Sequence, residues 1–335
     1  MQLSDLDYQF PAELLAQTPQ RPSRVMWVDD LGPQEITIQD LIHKIPSGDI
    51  LVLNDTKVLK RRIFADDLEI LFLNSNNSWD WEVLFPAKKI KIGQRINLPR
   101  GVEAELIAKG RPQVLRTNRP LTEEYFQNVA ELPLPPYIQK ARGQRHTSSE
   151  DEIWYQTVWA AKPGSFAAPT ASLHFAEKDI AELVTKGVIV EKVTLHVGLG
   201  TFLPVTVENL NQHEMHAEEV EISAASWDNI QKAKKRGQKI WVLGTTSARA
   251  LESAAQNLIP KDSAGFRGST QLLIQPGFEF QIVDRLLTNF HQPQSTLLAL
   301  VAAFANLDKV KACYSWAIER RFRLFSYGDL SVWTR

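Results

Sequence analysis

The sequence predicts an α/β protein in which both ends of the chain form a large α/β sheet domain and a small antiparallel β-barrel domain is inserted between them. The 335-residue length exceeds the ~250–300 residues at which single cores stop growing, so two domains are expected. In the second half, apolar runs alternate with helical patterns, which is typical of βαβ units and a mainly parallel sheet. In the first half, short apolar runs separated by turn residues favour a barrel or sandwich.

The inserted domain is predicted over 62–150, which leaves 1–61 and 151–335 for the α/β domain. DILVLND (49–55) predicts a buried strand of the large sheet. Within the insert, four strands are predicted: LEILFL (68–73), WDWEVLF (79–85), RINL (95–98) and VEAELI (102–107). The polar segment KARGQRHTSSEDE (140–152) follows a proline-rich stretch and predicts a linker or mobile loop.

The second half predicts two pairs of helix and strand and one further helix. EKDIAELVTKG (177–187) has helical spacing and a terminating glycine, and the β-branched run VIVEKVTLHV (188–197) predicts the strand that follows. SWDNIQKAKKRG (226–237) predicts a helix, KIWVL (239–243) a strand, and TSARALESAAQ (246–256) the next helix. Together with the strand at 49–55, these two strands give three predicted strand ends that are each followed by a polar loop.

Composition favours a soluble cytoplasmic protein. The chain is 44% hydrophobic and 23% charged, and Cys313 is its single cysteine. One cysteine cannot form an intrachain disulfide, which favours a reducing compartment. The first ten residues show no signal-peptide pattern. The longest apolar run, Leu297–Ala305, is shorter than the ~20 residues that span a bilayer, so no membrane association is expected.

The formal net charge of -1 conceals two regions of opposite charge. Residues 86–145 carry 12 basic and 5 acidic side chains, a balance of +7, whereas residues 193–231 carry 6 acidic and no basic side chains. A basic stretch is often only a solvated face. The alternative is a surface for a phosphate backbone, with a separate site elsewhere in the chain.

Three predicted strands end in polar loops, and ligands of open α/β sheets bind beyond such ends. The loops are Asn54-Asp55-Thr56, His196 to Thr201, and Gly244 to Ser247. The last of these precedes a helix, so its free N–H groups could hold an anion. The simpler alternative is that Thr245 or Thr246 caps that helix.

The segment HEMHAE contains the densest cluster of protic side chains. His213 and His216 are three residues apart, close enough to share a helix face, and Glu218 follows. A metal site would need a third ligand such as His196, but the spacing matches no standard zinc signature, so no metal is expected. An acid–base or substrate-binding role and a plain surface position both remain open. Two other histidines, beside phenylalanines, are interpreted as core histidines with satisfied bonds: His174 and His291.

Ten segments, read in order, resemble the S-adenosylmethionine:tRNA ribosyltransferase-isomerases of queuosine biosynthesis. They are LSDLDYQFPAELLAQTP (3–19), LVLNDTKV (51–58), PLPPYI (133–138), YQTVWA (155–160), GSFAAPTASLHF (164–175), TLHVGLGTFLPV (194–205), HEMHAE (213–218), GTTSARALES (244–253), TNFHQPQSTLL (288–298) and RLFSYGD (323–329). The segments cover nearly the whole chain. The family fold is an α/β domain with an inserted small β-barrel domain.

The resemblance implies that S-adenosylmethionine is a co-substrate that donates ribosyl carbon. The acceptor is 7-aminomethyl-7-deazaguanine at the wobble position of a tRNA, and the products are epoxyqueuosine-tRNA, adenine and methionine. A general base must take a C5′ hydrogen that the sulfonium acidifies. Our hypothesis is that His196 or His216 is this base and that Asp55 or Glu218 is its orienting or acid partner. The residues expected to hold S-adenosylmethionine are Gly198, Gly200, Thr201, Thr245, Thr246 and Ser247.

Two positions depart from the family pattern. Ser172 stands where the family usually has a glycine, and Gln294 where it usually has a basic residue. These differences indicate a divergent member of the family more than a lost activity. A competing hypothesis is a tRNA-binding paralogue without catalysis, although the intact HVGLGTF, HEMHAE and GTTS segments argue against it. A metal-dependent hydrolase using His196, His213 and His216 is a third hypothesis. The size of the chain suggests a monomer.

Overall fold

The chain forms two compact units in the computed structural model, which describes residues 1–75, 77–198, 200, 203 and 205–335. The first, here the α/β unit, comprises Met1–Lys57 and Trp154–Arg335, and the second, the barrel unit, comprises Val58–Ile153. The α/β fold class is confirmed. The two units have their own hydrophobic cores.

The N-terminal segment supplies one edge and one central strand of the large sheet. Its elements are β1 (Arg24–Asp29), β2 (Gly32–Thr37), α1 (Ile38–Lys44), β3 (Ile50–Asn54) and β4 (Thr56–Val58). Helix α1 begins where it does because the Thr37 hydroxyl accepts a hydrogen bond from the Asp40 N–H, 3.0 Å away, while the Asp40 carboxylate accepts from the Thr37 N–H. All five residues of β3 are buried, as its apolar sequence predicts.

The barrel unit is a six-stranded antiparallel sheet with three short helices beside it. Its elements are β5 (Arg62–Ala65), β6 (Leu68–Ser75), β7 (Asp80–Leu84), β8 (Arg95–Leu98), β9 (Val102–Ala108), β10 (Gln113–Thr117), α2 (Glu123–Val129), α3 (Pro136–Arg142) and α4 (Asp151–Trp154). The strand order is β5-β6-β7-β10-β9-β8, and β5 also approaches β8, so the sheet nearly closes. Phe72, Trp81 and Phe126 pack edge to face in its core.

The prediction of a linker or mobile loop over residues 140–152 is wrong at both of its ends. Residues up to Arg142 complete helix α3, which ends at Gly143 in a left-handed conformation, φ 63°. The Arg142 guanidinium then binds both carboxylate oxygens of Asp151, at 2.7 and 2.9 Å, and Asp151 is fully buried. The two ends of the segment are therefore held by helices and by this buried ion pair, whereas most of the residues between them are exposed.

The rest of the chain completes the α/β unit. Its elements are β11 (Lys162–Ser165), α5 (Glu177–Thr185), β12 (Ile189–Leu195), β13 (Glu218–Ser223), α6 (Ala224–Lys235), β14 (Ile240–Leu243), α7 (Thr245–Ala255), β15 (Lys261–Asp262), β16 (Gly265–Thr270), β17 (Arg285–Asn289), α8 (Thr296–Ala305), α9 (Leu307–Glu319) and β18 (Leu330–Thr334). The helices and strands predicted between 177 and 255 are confirmed.

The large sheet is mixed, so the expectation of a mainly parallel sheet is wrong. Its order is β15-β16-β13-β12-β3-β14-β17-β18-β1-β2. The central strands β12, β3, β14 and β17 are parallel. Strand β18 is antiparallel to β17 because two helices, α8 and α9, connect them and return the chain to the end of the sheet at which β17 finishes, so that Leu330 pairs with Asn289. Strand β13 pairs antiparallel with β12, and no α-helix lies between them in the described part of the chain.

Candidate functional site

The carboxyl ends of β12, β3 and β14 meet at one edge of the sheet, and Asn54 joins them. Its side-chain amide donates to the Leu195 carbonyl at 2.9 Å and to the Thr246 hydroxyl at 3.1 Å. Its carbonyl oxygen accepts from the N–H groups of Leu195 and Thr56, both at 3.1 Å. Because Asn54 is completely buried, these bonds hold the three predicted loops together. The three loops therefore converge, through a residue whose connecting role sequence analysis missed.

His196 follows β12 and is held from two sides. Its Nδ1 lies 2.7 Å from the Thr56 hydroxyl. Gly164 lies directly against the ring, since a Cβ placed on that glycine would be 2.8 Å from three ring carbons. The ring is half-buried, and the loss of hydration lowers the pKa of His196 below the usual 6.5. The negative charges of Asp55 and Glu219 raise this pKa, but by less than burial lowers it. The site therefore contains an oriented imidazole that favours the neutral form.

Asp55 is buried next to this histidine and is itself fixed. The Thr194 hydroxyl donates to its Oδ1 at 2.7 Å, and its backbone carbonyl accepts from the N–H groups of Ala161 and Lys162. Its negative charge raises the pKa of His196, although less than burial lowers it. Asp55 is thus placed to stabilise a protonated imidazole.

Glu218 begins β13 and forms a buried ion pair with Arg249 of helix α7. Both side chains are only 7% exposed. The other Glu218 oxygen accepts from the Gly198 N–H at 3.1 Å, and the Arg249 Nε donates to the Leu272 carbonyl at 3.0 Å. Glu218 therefore anchors the glycine loop after β12. Arg249 stands in the GTTSARALES segment, but sequence analysis did not select it.

His216 lies in an irregular segment, so the prediction that His213 and His216 share a helix face is wrong. A short 3-10 turn ends at Gln212, and the chain is extended or irregular until β13 begins. His216 is exposed, and its ring lies 3.3 Å from the position of a Cβ on Gly200. Partial burial lowers the pKa of His213. Thr201 lies outside the described residues.

Helix α7 begins directly after β14, with Gly244 as its N-terminal cap at φ 92°. No side chain caps this end among the residues described, so the alternative that Thr245 or Thr246 caps the helix is wrong. The Ser247 hydroxyl donates back to the Leu243 carbonyl at 2.8 Å and is completely buried. The first-turn N–H groups of a helix have no partner within it, so this end can receive an anion.

His174 and His291 are buried, which confirms their interpretation as core histidines. His174 Nδ1 lies 2.7 Å from the Ser23 hydroxyl, and its Nε2 accepts from the Asn289 amide at 3.0 Å. His291 Nε2 lies 2.8 Å from the Thr288 hydroxyl. Burial lowers the pKa of each ring to about 3.

No group of three or more metal-ligating His, Cys, Asp or Glu side chains occurs within the described ranges. In the same ranges, no helix is long and apolar enough to cross a membrane. Fold and site together define an α/β protein whose polar site lies at the carboxyl ends of parallel strands, the usual place for an active site in this class.

Comparison with known proteins identifies the family. A family model described as "Queuosine biosynthesis protein" matches residues 3–332. Relatives named "S-adenosylmethionine:tRNA ribosyltransferase-isomerase" from Carboxydothermus hydrogenoformans and Staphylococcus epidermidis are each 41% identical over 98% of both chains. The crystal structure of an S-adenosylmethionine tRNA ribosyltransferase from Thermotoga maritima is 29% identical, with a TM-score of 0.55 over 98% of this chain and 99% of that one. The chain belongs to the queuosine biosynthesis protein family and is an enzyme. The relatives are named for catalysis, so the binding-only alternative has no support.

Proposed function

We propose that this enzyme transfers the ribosyl moiety of S-adenosylmethionine to 7-aminomethyl-7-deazaguanine at the tRNA wobble position and isomerises it. The products are epoxyqueuosine-tRNA, adenine and methionine. The observation that carries this proposal is the similarity, over 98% of the chain, to relatives named for this activity. The oriented imidazole at the carboxyl ends of the parallel strands agrees with it.

The residues at the strand ends fit S-adenosylmethionine as co-substrate. When bound, it supplies the ribosyl carbons and acidic C5′ hydrogens beside its sulfonium. The uncapped N-terminus of α7 offers N–H groups, at Thr245 and Thr246, to the methionine carboxylate. Gly198 and Gly200 let the backbone approach closely, and Glu218 fixes the first of them. Ser247 contributes its backbone N–H, because its hydroxyl is bound within the helix.

His196 is the general base of this proposal. We assign the proton of the neutral ring to Nδ1, which lies 2.7 Å from the Thr56 hydroxyl and donates to it, so that Nε2 is the nitrogen that takes a proton. Burial keeps the ring neutral, as a base must be before the transfer. Asp55 then stabilises the imidazolium, and its own position is fixed by Thr194.

Glu218 is a positioning residue in this proposal, since its carboxylate is already shared between Arg249 and the Gly198 N–H. His216 is the second candidate for the base. Its exposed ring lies against Gly200 and has no comparable pair of constraints among the described contacts. We further propose that the enzyme acts in the cytoplasm as a monomer, with the α/β unit as catalytic domain and the barrel unit as the inserted domain.

The test incubates the enzyme with S-adenosylmethionine and a tRNA that bears the aminomethyl-deazaguanine. We expect free adenine and methionine in equal amounts and no S-adenosylhomocysteine. Replacing His196 with Ala removes a general base, which is typically worth about 10²–10⁴ in rate. Adenine release should therefore fall by that factor in His196→Ala.

His43→Ala is the matched control, because His43 is an exposed histidine on α1 whose contact is Glu182. It should release adenine at the wild-type rate. A large loss in His216→Ala with little change in His196→Ala would transfer the role of base to His216. Near wild-type rates for both variants would remove both assignments, and production of S-adenosylhomocysteine would overturn ribosyl transfer itself.

A further inference from the structure

One end of the barrel unit is built from two connections that lie side by side. The first, residues 85–94, joins β7 to β8, and the second, residues 109–112, joins β9 to β10. The Gly93 N–H donates to the Leu106 carbonyl at 2.8 Å, and the Gln113 side-chain amide donates to the Phe85 carbonyl at 3.1 Å. The two connections therefore cover the ends of four adjacent strands, a width of about 14 Å at ~4.8 Å per strand spacing.

This end, here the basic end, carries only positive charge. Its cations are all exposed: Lys88, Lys89, Lys91, Lys109 and Arg111. Neither connection contains Asp or Glu. In the described part of the chain, no ion pair involves any of these five side chains. Ile92, 62% exposed, stands among them as an apolar contact.

Most other cations of the barrel unit already have carboxylate partners. The pairs are Lys60–Glu152, Arg61–Glu123, Arg62–Glu131, Arg95–Glu103, Arg116–Asp80, Arg142–Asp151 and Arg145–Asp67. Three further cations lie outside both groups: Arg100, Arg119 and Lys140. The balance of +7 over residues 86–145 is therefore not spread evenly over a surface. Its unpaired part is concentrated at the basic end.

We propose that the basic end binds the phosphate backbone of the tRNA, which rests on the proposed function. Five like charges on two short connections repel one another, and a polyanion that lies across them removes this repulsion and releases its own counterions. Lysines at exposed turns act as point charges for phosphates and carry no base specificity. The basic end therefore contributes affinity and orientation for the tRNA and leaves the choice of base to the site in the α/β unit.

The experiment measures how tRNA affinity depends on salt. The variant Lys88→Gln, Lys91→Gln, Lys109→Gln removes three charges from exposed turns and preserves side-chain length. The control Lys178→Gln, Lys232→Gln, Lys311→Gln removes three exposed charges that are dispersed over α5, α6 and α9. Binding of labelled substrate tRNA is titrated from about 0.05 to about 0.4 M KCl, a range over which the Debye length falls from about 14 to about 5 Å.

Each phosphate contact contributes about 0.7–0.9 to the slope of log affinity against log salt. The basic-end variant should thus lower the slope magnitude by about 2–3 and weaken binding on the order of 100-fold at 0.1 M salt, whereas the control keeps the wild-type slope. In adenine release, KM for tRNA should rise while kcat at saturating tRNA is unchanged. Equal slopes for the wild type and both variants would overturn the proposal. The binding assay does not require turnover, so the two proposals can fail separately. If the wild type showed the expected salt-dependent tRNA binding but released no adenine, the proposed reaction would be contradicted and the proposed binding surface would stand.

Discussion

Gly164 leaves space for the His196 ring, and replacing it with alanine should move that ring. The new Cβ would lie 2.8 Å from three ring carbons, whereas carbon contacts normally lie at ~3.5–4.0 Å. The ring must therefore shift by about 0.7 Å, the difference between these distances. A shift of this size changes the present 2.7 Å contact with Thr56 by up to about 0.7 Å, and at the upper limit of about 3.4 Å the contact is beyond ordinary hydrogen-bond range.

The expected result of Gly164→Ala is a loss in kcat for adenine release of about 100-fold, the typical effect of a ~1 Å misplacement in an active site. Overpacking should also lower the free energy of unfolding by about 1–3 kcal/mol. The assay quantifies adenine under saturating S-adenosylmethionine and substrate tRNA, and urea unfolding confirms that the variant is folded.

Two comparisons isolate the cause. Gly277→Ala is the control, because Gly277 has φ 99° and no atom within 4 Å of its Cβ position; it introduces backbone strain but no contact with the ring. In a His196→Ala background the clash disappears, so Gly164→Ala should add little further loss, as a double-mutant cycle measures. A kcat within twofold of wild type in Gly164→Ala would refute the argument that Gly164 positions the base.

Three further predictions concern charge. Because burial lowers the pKa of His196 in the free enzyme, the acidic limb of the pH profile of kcat/KM should lie below pH 6.5, and His196→Gln should abolish that limb. His174 and His291 have pKa values of about 3 in the folded protein and ~6.5 in the unfolded chain, so between these pH values only the unfolded chain binds their protons. Their contribution to stability is therefore fully present above pH 6.5 and is lost as the pH falls. At about pH 5 the free energy of unfolding measured in urea should be lower by up to about 4 kcal/mol for the pair. Removing one member of the buried Glu218–Arg249 pair, as in Glu218→Gln, should cost about 3–5 kcal/mol of unfolding free energy and weaken S-adenosylmethionine binding measured by calorimetry.

Each of these predictions has its own contrary result. A limb at or above pH 6.5 would mean that the titrating base is not the half-buried His196. If the double variant His174→Gln, His291→Gln showed the same pH dependence of the unfolding free energy as the wild type, the acid sensitivity would belong to other groups. For the ion pair, Glu221→Gln is the control, since Glu221 binds Lys162 at the surface and such pairs contribute about 0–1 kcal/mol. If Glu218→Gln and Glu221→Gln lowered the free energy of unfolding by similar amounts, burial would not be what makes the Glu218–Arg249 pair important.

Local sequence was sufficient for much of the secondary structure. RINL at 95–98 is a strand with the predicted bounds, and the helix predicted from residue 177 begins there. These elements follow from side-chain periodicity and terminating residues, which act within a few positions. The antiparallel pairing of β17 with β18 was not predicted, because it depends on how two helices pack in the connection between them. Polar strand ends likewise indicated which loops to consider for a ligand site, whereas their convergence through Asn54 came from the tertiary structure.

The partners within the site were decided by the tertiary structure. Asn54 and Leu195 are 141 residues apart in sequence, and Glu218 and Arg249 are 31 apart. The same holds for the charge: the sequence by itself determined a balance of +7 over residues 86–145, but not which of those cations are paired. Ion pairing depends on distance through space, and the nearly closed sheet brings distant carboxylates to some cations and leaves those of the basic end exposed to solvent.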